Sequence, residues 1–205
     1  EGAALDLGYL PVSTTESLVP DFNLAIEAGL AQPSPQGIYY PYDGRLLAAV
    51  RDAEGRVRGF YGRARPGLDE VKWTAPAAVH YRRAVRLFGW PAQPMSGVRH
   101  VAVVEGPLDA VALHAAQPAR ALQSFATCGS PSLQQVGLVH GAATAWGARL
   151  WLIYDGDEGG REAAATWLLH TKELRLPVPA VVRLPHGDPA EVVAEVGWSG
   201  FLALM

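Results

Sequence analysis

The sequence predicts an α/β protein in two parts. A mostly parallel sheet flanked by helices occupies residues 98–205, and a smaller mixed α/β subdomain precedes it in residues 1–97. Three observations predict this. After His100, short apolar runs alternate with helical patterns, with strands expected at 100–105, 120–126, 149–154 and 179–184 and helices at 108–116, 132–139, 159–174 and 189–196. Strands separated by helices pair in parallel through right-handed crossovers. Two of these apolar runs end in acids: Val101-Ala-Val-Val-Glu105-Gly106-Pro-Leu-Asp109, and Arg149-Leu-Trp-Leu-Ile-Tyr-Asp155-Gly-Asp157. Finally, Pro91-Ala-Gln-Pro94 and Gly97 punctuate the chain just before the alternation begins.

The elements follow in order. Residues 1–37 read as irregular structure around one short helix, near Asp21–Ala31, closed by Pro33-Ser-Pro35. Residues 38–64 read as paired strands, with Ile38-Tyr-Tyr-Pro and Arg45–Arg51 leading through the turn Asp52-Ala-Glu-Gly55 to Arg56–Arg63. Residues 66–99 are rich in loop signals, with one short element near Val79–Phe88.

Composition narrows the function. The chain of 205 residues is 49% hydrophobic and 18% charged, which suits a soluble protein of one or two domains. Net charge is −3, so the chain as a whole is not a basic nucleic-acid binder, but the charge is uneven. Residues 35–99 carry 11 Lys and Arg against 5 Asp and Glu, and residues 100–205 carry 6 against 10. A basic half beside an acidic half suits a protein that grips phosphates with one part and metals with the other. Cys128 is the single cysteine, so neither an internal disulfide nor a Cys-based zinc site is available. No apolar run reaches the roughly 20 residues of a membrane span, nothing resembles a signal peptide, and a cytoplasmic location is expected. The chain begins at Glu1 without an initiator Met, as an excised fragment would.

In an open parallel sheet, sites lie beyond the carboxyl ends of the strands. Glu105, Asp155 and Asp157 fall there, with Cys128–Ser130 and Asp188 nearby. Carboxylates gathered at a sheet rim suit a divalent cation such as Mg²⁺, which takes a few carboxylates plus substrate oxygens. Asp155 and Asp157 are expected as metal ligands, with Asp188 as a third. Glu105 either ligates metal or takes a proton as general base. Gly106 lets backbone approach a phosphate closely. Asp109 falls in a first helical turn, where a carboxylate also serves as a cap or dipole partner. Cys128 has no His or Lys obviously poised to activate it and is read as non-nucleophilic.

With these residues in place the chain resembles a Toprim domain, and specifically the catalytic core of a DnaG-type bacterial primase. The Toprim pattern is a strand ending in Glu-Gly, an Asp three residues after the Gly, and a later strand ending in D-x-D. Here these are Glu105-Gly106, Asp109 and Asp155-Gly-Asp157. Ala126-Thr-Cys-Gly-Ser130 resembles the primase Gly-Thr turn, and Asp157-Glu-Gly-Gly160-Arg161-Glu-Ala163-Ala164 its D-x-x-G-R-x-A-A run. Leu184-Pro-His-Gly-Asp188-Pro189-Ala-Glu191 resembles L-P-x-G-x-D-P-D-E. In the first half, Gly44-Arg45 through Arg63 resembles the primase block ending G-F-x-G-R, Lys72-Trp73-Thr-Ala-Pro76 resembles K-Y-x-N-S-P, and Tyr81-Arg-Arg83 through Gly89 resembles F-x-K-x-x-x-L-Y/F-G. The resemblance spans roughly residues 20–197.

The resemblance implies DNA-templated synthesis of short RNA primers on single-stranded DNA, by metal-dependent nucleotidyl transfer in DNA replication. It implies Glu105, Asp109, Asp155 and Asp157 as catalytic residues, and Glu105, Asp155, Asp157 and Asp188 as ligands for two or more Mg²⁺ or Mn²⁺ ions, with no zinc in this chain. Arg45, Arg63, Lys72, Trp73, Arg83 and Gly106 are implied in contacts with nucleic acid or NTP, Trp73 by stacking on a base. Single-stranded DNA and NTPs are the implied substrates. A replicative helicase is implied as partner only through regions outside this sequence, and no membrane is expected. Departures point to a divergent member, as in a mobile element, or to an excised core. The motif Asn after Lys72 has no counterpart, Ala190 replaces the second Asp of D-P-D-E, and Ala48-Ala49 replaces Phe-Pro. The zinc module and the following helical region of the family are not seen. Three rival readings use the same acids: a Toprim nuclease, a non-catalytic nucleic-acid-binding module, and a haloacid-dehalogenase-like phosphatase. The basic first half speaks against the nuclease, and the intact acids against a retired site. The phosphatase should carry its D-x-D on the first strand, followed by Thr.

Overall fold

The computed structural model describes residues 7–11, 15–19, 21–65, 67, 71–75, 87–91, 95–117 and 121–205. These fall into two compact units. One is built on residues 84–205 with the turn 51–56, and the other on residues 6–50 and 57–83. The division therefore falls earlier than the Pro-rich stretch suggests. The reason is a short strand, Leu87–Phe88, which pairs antiparallel with a strand of the later unit through Phe88 and Ala126.

The smaller unit begins with strand β1 (Leu7–Leu10), helix α1 (Thr15–Leu18) and helix α2 (Phe22–Glu27). Asp21 caps α2 by accepting from the Leu24 N–H, and the chain leaves through Gly29 at φ 72°. Strands β2 (Gln32–Ser34) and β3 (Gly37–Tyr39) make a separate antiparallel hairpin. Strands β4 (Arg45–Arg51), β5 (Val57–Ala64) and β6 (Trp73–Thr74) lie in that order in a sheet, and β1 is antiparallel to β4. Residues 1–37 thus hold more regular structure than expected. The partner of β1 lies far along the chain in β4 and that of β2 just past a tight turn in β3, pairings that local propensity does not reveal. Tyr42 is buried, stacks edge-on against Phe60, and donates its hydroxyl to the Phe60 carbonyl. Gly62 packs tightly beside it, since a Cβ there would lie 3.0 Å from both the Tyr42 ring and Arg45 Cδ. Of the element expected at Val79–Phe88, only β7 (Leu87–Phe88) lies among the described residues.

The larger unit is a mostly parallel sheet with helices on both faces. Its elements are β8 (His100–Val104), α3 (Pro107–Ala116), β9 (Leu122–Ala126), α4 (Leu133–Trp146), β10 (Arg149–Leu152), α5 (Glu158–Glu173), β11 (Ala180–Val181) and α6 (Pro189–Leu204). The strand order is β11-β10-β8-β9-β7, with β8, β9, β10 and β11 parallel and β7 antiparallel to β9. Every residue of β9 is buried, as are all of β8 after His100, as expected of strands covered on both faces. Val101, Val103, Phe125, Leu150 and Leu152 pack on Val136 and Val139 of α4 and Ala163 and Trp167 of α5. The alternate residues Ala102 and Val104 point to the other face, where α3 and α6 pack together.

Two helices outrun their expected ends. Helix α4, expected over 132–139, runs to Trp146 and ends on Gly147 in the left-handed conformation at φ 64°. Helix α6 continues past 196 through a kink at Gly197 (φ 68°, ψ 174°). Tertiary packing outweighs the local propensity cost at both places. Conversely, β11 is shorter than the expected 179–184, because it pairs along only two residues.

Candidate active site

The strand order places the site. From β8 the chain crosses to β9 on one side, then returns through α4 to β10 on the other side of β8. Strands β8 and β10 are therefore neighbours whose connections leave in opposite directions, and their carboxyl ends flank the switch-point crevice of the sheet. Glu105 follows β8 directly, and Asp155 follows β10 by three residues.

Local geometry then gathers the acids. Gly160 lets the first turn of α5 sit on the backbone of Asp155, since a Cβ there would lie 2.1 Å from the Asp155 carbonyl oxygen. Asp157 caps α5, its Oδ1 accepting from the Gly160 N–H at 2.8 Å. Strand β10 ends at Leu152, so a loop and a helix cap place the two side chains of the D-x-D pair. The Gly156 N–H donates to the Gly187 carbonyl at 2.8 Å, which brings in the loop before α6. There Asp188 caps α6, accepting from the Glu191 N–H at 2.7 Å. On the β8 side, the Cys128 N–H donates to the Glu105 carbonyl at 2.9 Å. Cys128 adopts φ 56°, which lets the turn after β9 fold back onto that carbonyl.

Asp109 lies in the first turn of α3, where its motif places it. It is 7% exposed, and both oxygens accept backbone N–H groups: Oδ2 from Gly106 at 3.1 Å and Oδ1 from Ala190 at 3.4 Å. It closes the first turn of α3 and ties it to the first turn of α6. These two bonds give Asp109 a positioning role between the two helix starts. Gly106 serves this brace, because a Cβ at Gly106 would lie 2.7 Å from Asp109 Oδ2.

The electrostatics show how crowded these acids are. Burial, with Asp188 and Asp155 adding to it, pushes the Asp109 carboxyl up to about 7. Burial, then Glu105, Asp188, Asp157 and Glu191, push Asp155 up to about 6. Glu191 belongs to this group although its motif position gave it no assigned role. The available signal was its place three residues after a capping Asp, in the first turn of α6.

Among the described residues, no three His, Cys, Asp or Glu side chains form a ready-made metal cage. The donor set nevertheless fits a hard divalent cation. All the donors are carboxylate oxygens, Asp155 Oδ1 is buried without a hydrogen-bond partner, and Asp157 and Asp188 use Oδ1 for their caps, leaving Oδ2. A cation would relieve the mutual repulsion that raises Asp155.

The basic candidates lie in the smaller unit. Arg63 and Trp73 face each other across β5 and β6, with the guanidinium carbon 5.0 Å from the ring centroid, a cation–π pair. Lys72 is exposed, and its carbonyl accepts from the Ala64 N–H. Arg45 is only 2% exposed and donates to the Val71 carbonyl at 2.9 Å, so it braces its own unit. Arg83 lies outside the described residues.

Comparison with known proteins agrees with this architecture. Residues 102–193 match the Toprim-like family Toprim_2. The chain is 31% identical over 176 residues to a DNA primase of Synechococcus elongatus and 31% identical over 191 residues to one of Escherichia coli. These alignments cover 82% and 88% of the chain but only 25% and 31% of the relatives, so the chain spans about a quarter to a third of their length. Among solved structures it is similar to the Escherichia coli primase catalytic core, with 27% identity and a TM-score of 0.78 over 97% of this chain and 66% of that one. A DnaG primase catalytic domain bound to single-stranded DNA matches with the same identity, TM-score and coverage. Together with the crevice acids on β8 and β10, these likenesses show that the chain belongs to the family of DnaG-type primase cores built on a Toprim domain.

Proposed function

We propose that this chain is the catalytic core for DNA-templated synthesis of short RNA primers in DNA replication, acting by metal-dependent nucleotidyl transfer. The observation that carries the reading is the convergence of Glu105, Asp155, Asp157, Asp188 and Glu191 at the crevice between β8 and β10, in a chain related to DNA primases. Joining a nucleotide to a 3′-hydroxyl needs that hydroxyl polarised and the charge on phosphate and departing pyrophosphate offset. Mg²⁺ or Mn²⁺ ions, when bound, supply that positive charge. Asp155, Asp157 and Asp188 are the proposed ligands, and Asp155 Oδ1 is the oxygen without another partner. Glu105 either shares in ligation or accepts the hydroxyl proton. Asp109 holds the α3 and α6 turns that present Gly106 and Asp188.

Single-stranded DNA and NTPs are the proposed substrates. Arg63 and Lys72 would contact phosphate and Trp73 a base, while Arg83 retains its place through the motif alone. A helicase partner rests on the family alone. The test is primer synthesis on mixed-sequence single-stranded DNA with labelled NTPs and Mg²⁺ or Mn²⁺, with Asp155→Ala alongside. Short RNA from the wild type only is the expected result. Metal-dependent shortening of the template without RNA would instead identify a nuclease.

A further inference from the structure

We infer that Arg161 is a phosphate-binding residue of this site, gripping the substrate phosphate nearest the D-x-D loop; the inference rests on the functional reading above. The sequence sets Arg161 directly after Gly160, and the structure fixes its base firmly. The first turn of α5 lies against the Asp155 backbone, the Gly160 N–H is held by Asp157 Oδ1, and the Arg161 N–H donates to the Asp157 carbonyl at 3.3 Å. The far end of the side chain returns to the same loop, where Nη1 donates to the Gly156 carbonyl at 3.4 Å. Gly156 is the residue between the two aspartates. The side chain is thus rooted through its backbone and meets the same loop again through Nη1, beside the acidic cluster.

Two further observations give this cation a ligand. It is exposed, and it forms no ion pair with an acid among the described residues, although several lie nearby. Its side-chain hydrogen bond runs to a backbone carbonyl and not to a carboxylate of the cluster. Other arginines of the same unit are occupied differently: Arg56 pairs with Asp52 and Glu54, and Arg149 lies over the Trp151 ring at 4.1 Å. A planar guanidinium with free donors, rooted beside an acidic cluster of cation-binding character, matches phosphate geometry. That phosphate belongs either to the triphosphate of a nucleotide or to the backbone of the template.

The test uses the full chain with Arg161→Gln and Arg161→Lys. Binding of ATP in Mg²⁺ is measured by calorimetry, and binding of a single-stranded oligonucleotide by fluorescence anisotropy over a salt series. Primer synthesis is measured in parallel. Removing one charged contact to phosphate should weaken one ligand about tenfold or more. Weaker ATP binding in Arg161→Gln assigns the nucleotide triphosphate. Weaker oligonucleotide binding with a shallower salt slope assigns the template. Arg161→Lys should recover part of the loss, since it keeps the charge but not the fork. Unchanged affinity for both ligands overturns the inference, and because the side chain is exposed, an unaltered melting curve rules out misfolding as the source of a loss. A binding defect in a chain whose wild type makes no primer would sustain Arg161 and sink the primase reading, so the two failures are separable.

Discussion

Asp109→Asn gives the sharpest test of the acidic cluster. In the folded chain Asp109 is pushed up to about 7 from an ordinary 3.8, first by burial and then by Asp188 and Asp155. Between about pH 4 and pH 7 the folded state therefore binds more protons than the unfolded state, and stability falls as pH rises through that window. Each pH unit of separation is worth about 1.4 kcal/mol, so the wild type should lose roughly 3 kcal/mol from this one group between pH 5 and pH 8. The asparagine variant carries no such loss. Its amide still accepts one of the two backbone N–H groups but turns an N–H toward the other, a cost of about 1–3 kcal/mol at every pH. The slope is therefore the observable, rather than absolute stability. Urea unfolding in EDTA, followed by tryptophan fluorescence, reads the right unit, because five of the six tryptophans lie in residues 84–205. Relative to wild type, the variant's midpoint should rise by roughly 1–2 M urea between pH 5 and pH 8. Parallel stability curves over that range would refute the raised Asp109 and the crowded-carboxylate reasoning built on it.

Asp155→Ala and Glu105→Ala should each abolish primer synthesis while leaving the melting temperature within a few degrees of wild type, measured by gel assay and circular dichroism; undiminished synthesis by either would remove that residue from the site. Adding Mg²⁺ at pH 8 should raise the melting temperature and EDTA should reverse it, whereas at pH 5, where Asp109 and Asp155 are mostly protonated, the ion should have little effect. Gly160→Ala should destabilise the larger unit and abolish synthesis, because the new Cβ meets the Asp155 carbonyl oxygen at 2.1 Å and the strand-end loop must move; wild-type denaturation and activity would contradict that contact. Trp167→Ala, which empties a fully buried indole from between α4, α5 and the sheet, should cost about 3–5 kcal/mol in urea unfolding.

The alternation of strands and helices after His100 is legible in the sequence, because strands covered on both faces must be continuously apolar, as β8 is after His100. The sequence also marked the acids at the strand ends, since a carboxylate ending an apolar run has few structural uses. It left open which strands are neighbours. Only the order β11-β10-β8-β9-β7 makes β8 and β10 adjacent and puts Glu105 and Asp155 across one crevice. Tertiary structure also shows what holds two of the candidate charges. Arg45 and Asp109 both read as functional charges, yet one is buried against Val71 and the other braces two helix starts. Glu191 entered the cluster because α6 begins beside the D-x-D loop. The physical reason is common to these cases. Periodicity reports which face of an element is apolar, a local property. Whether a charge meets solvent, a backbone N–H or another carboxylate depends on segments far apart in sequence.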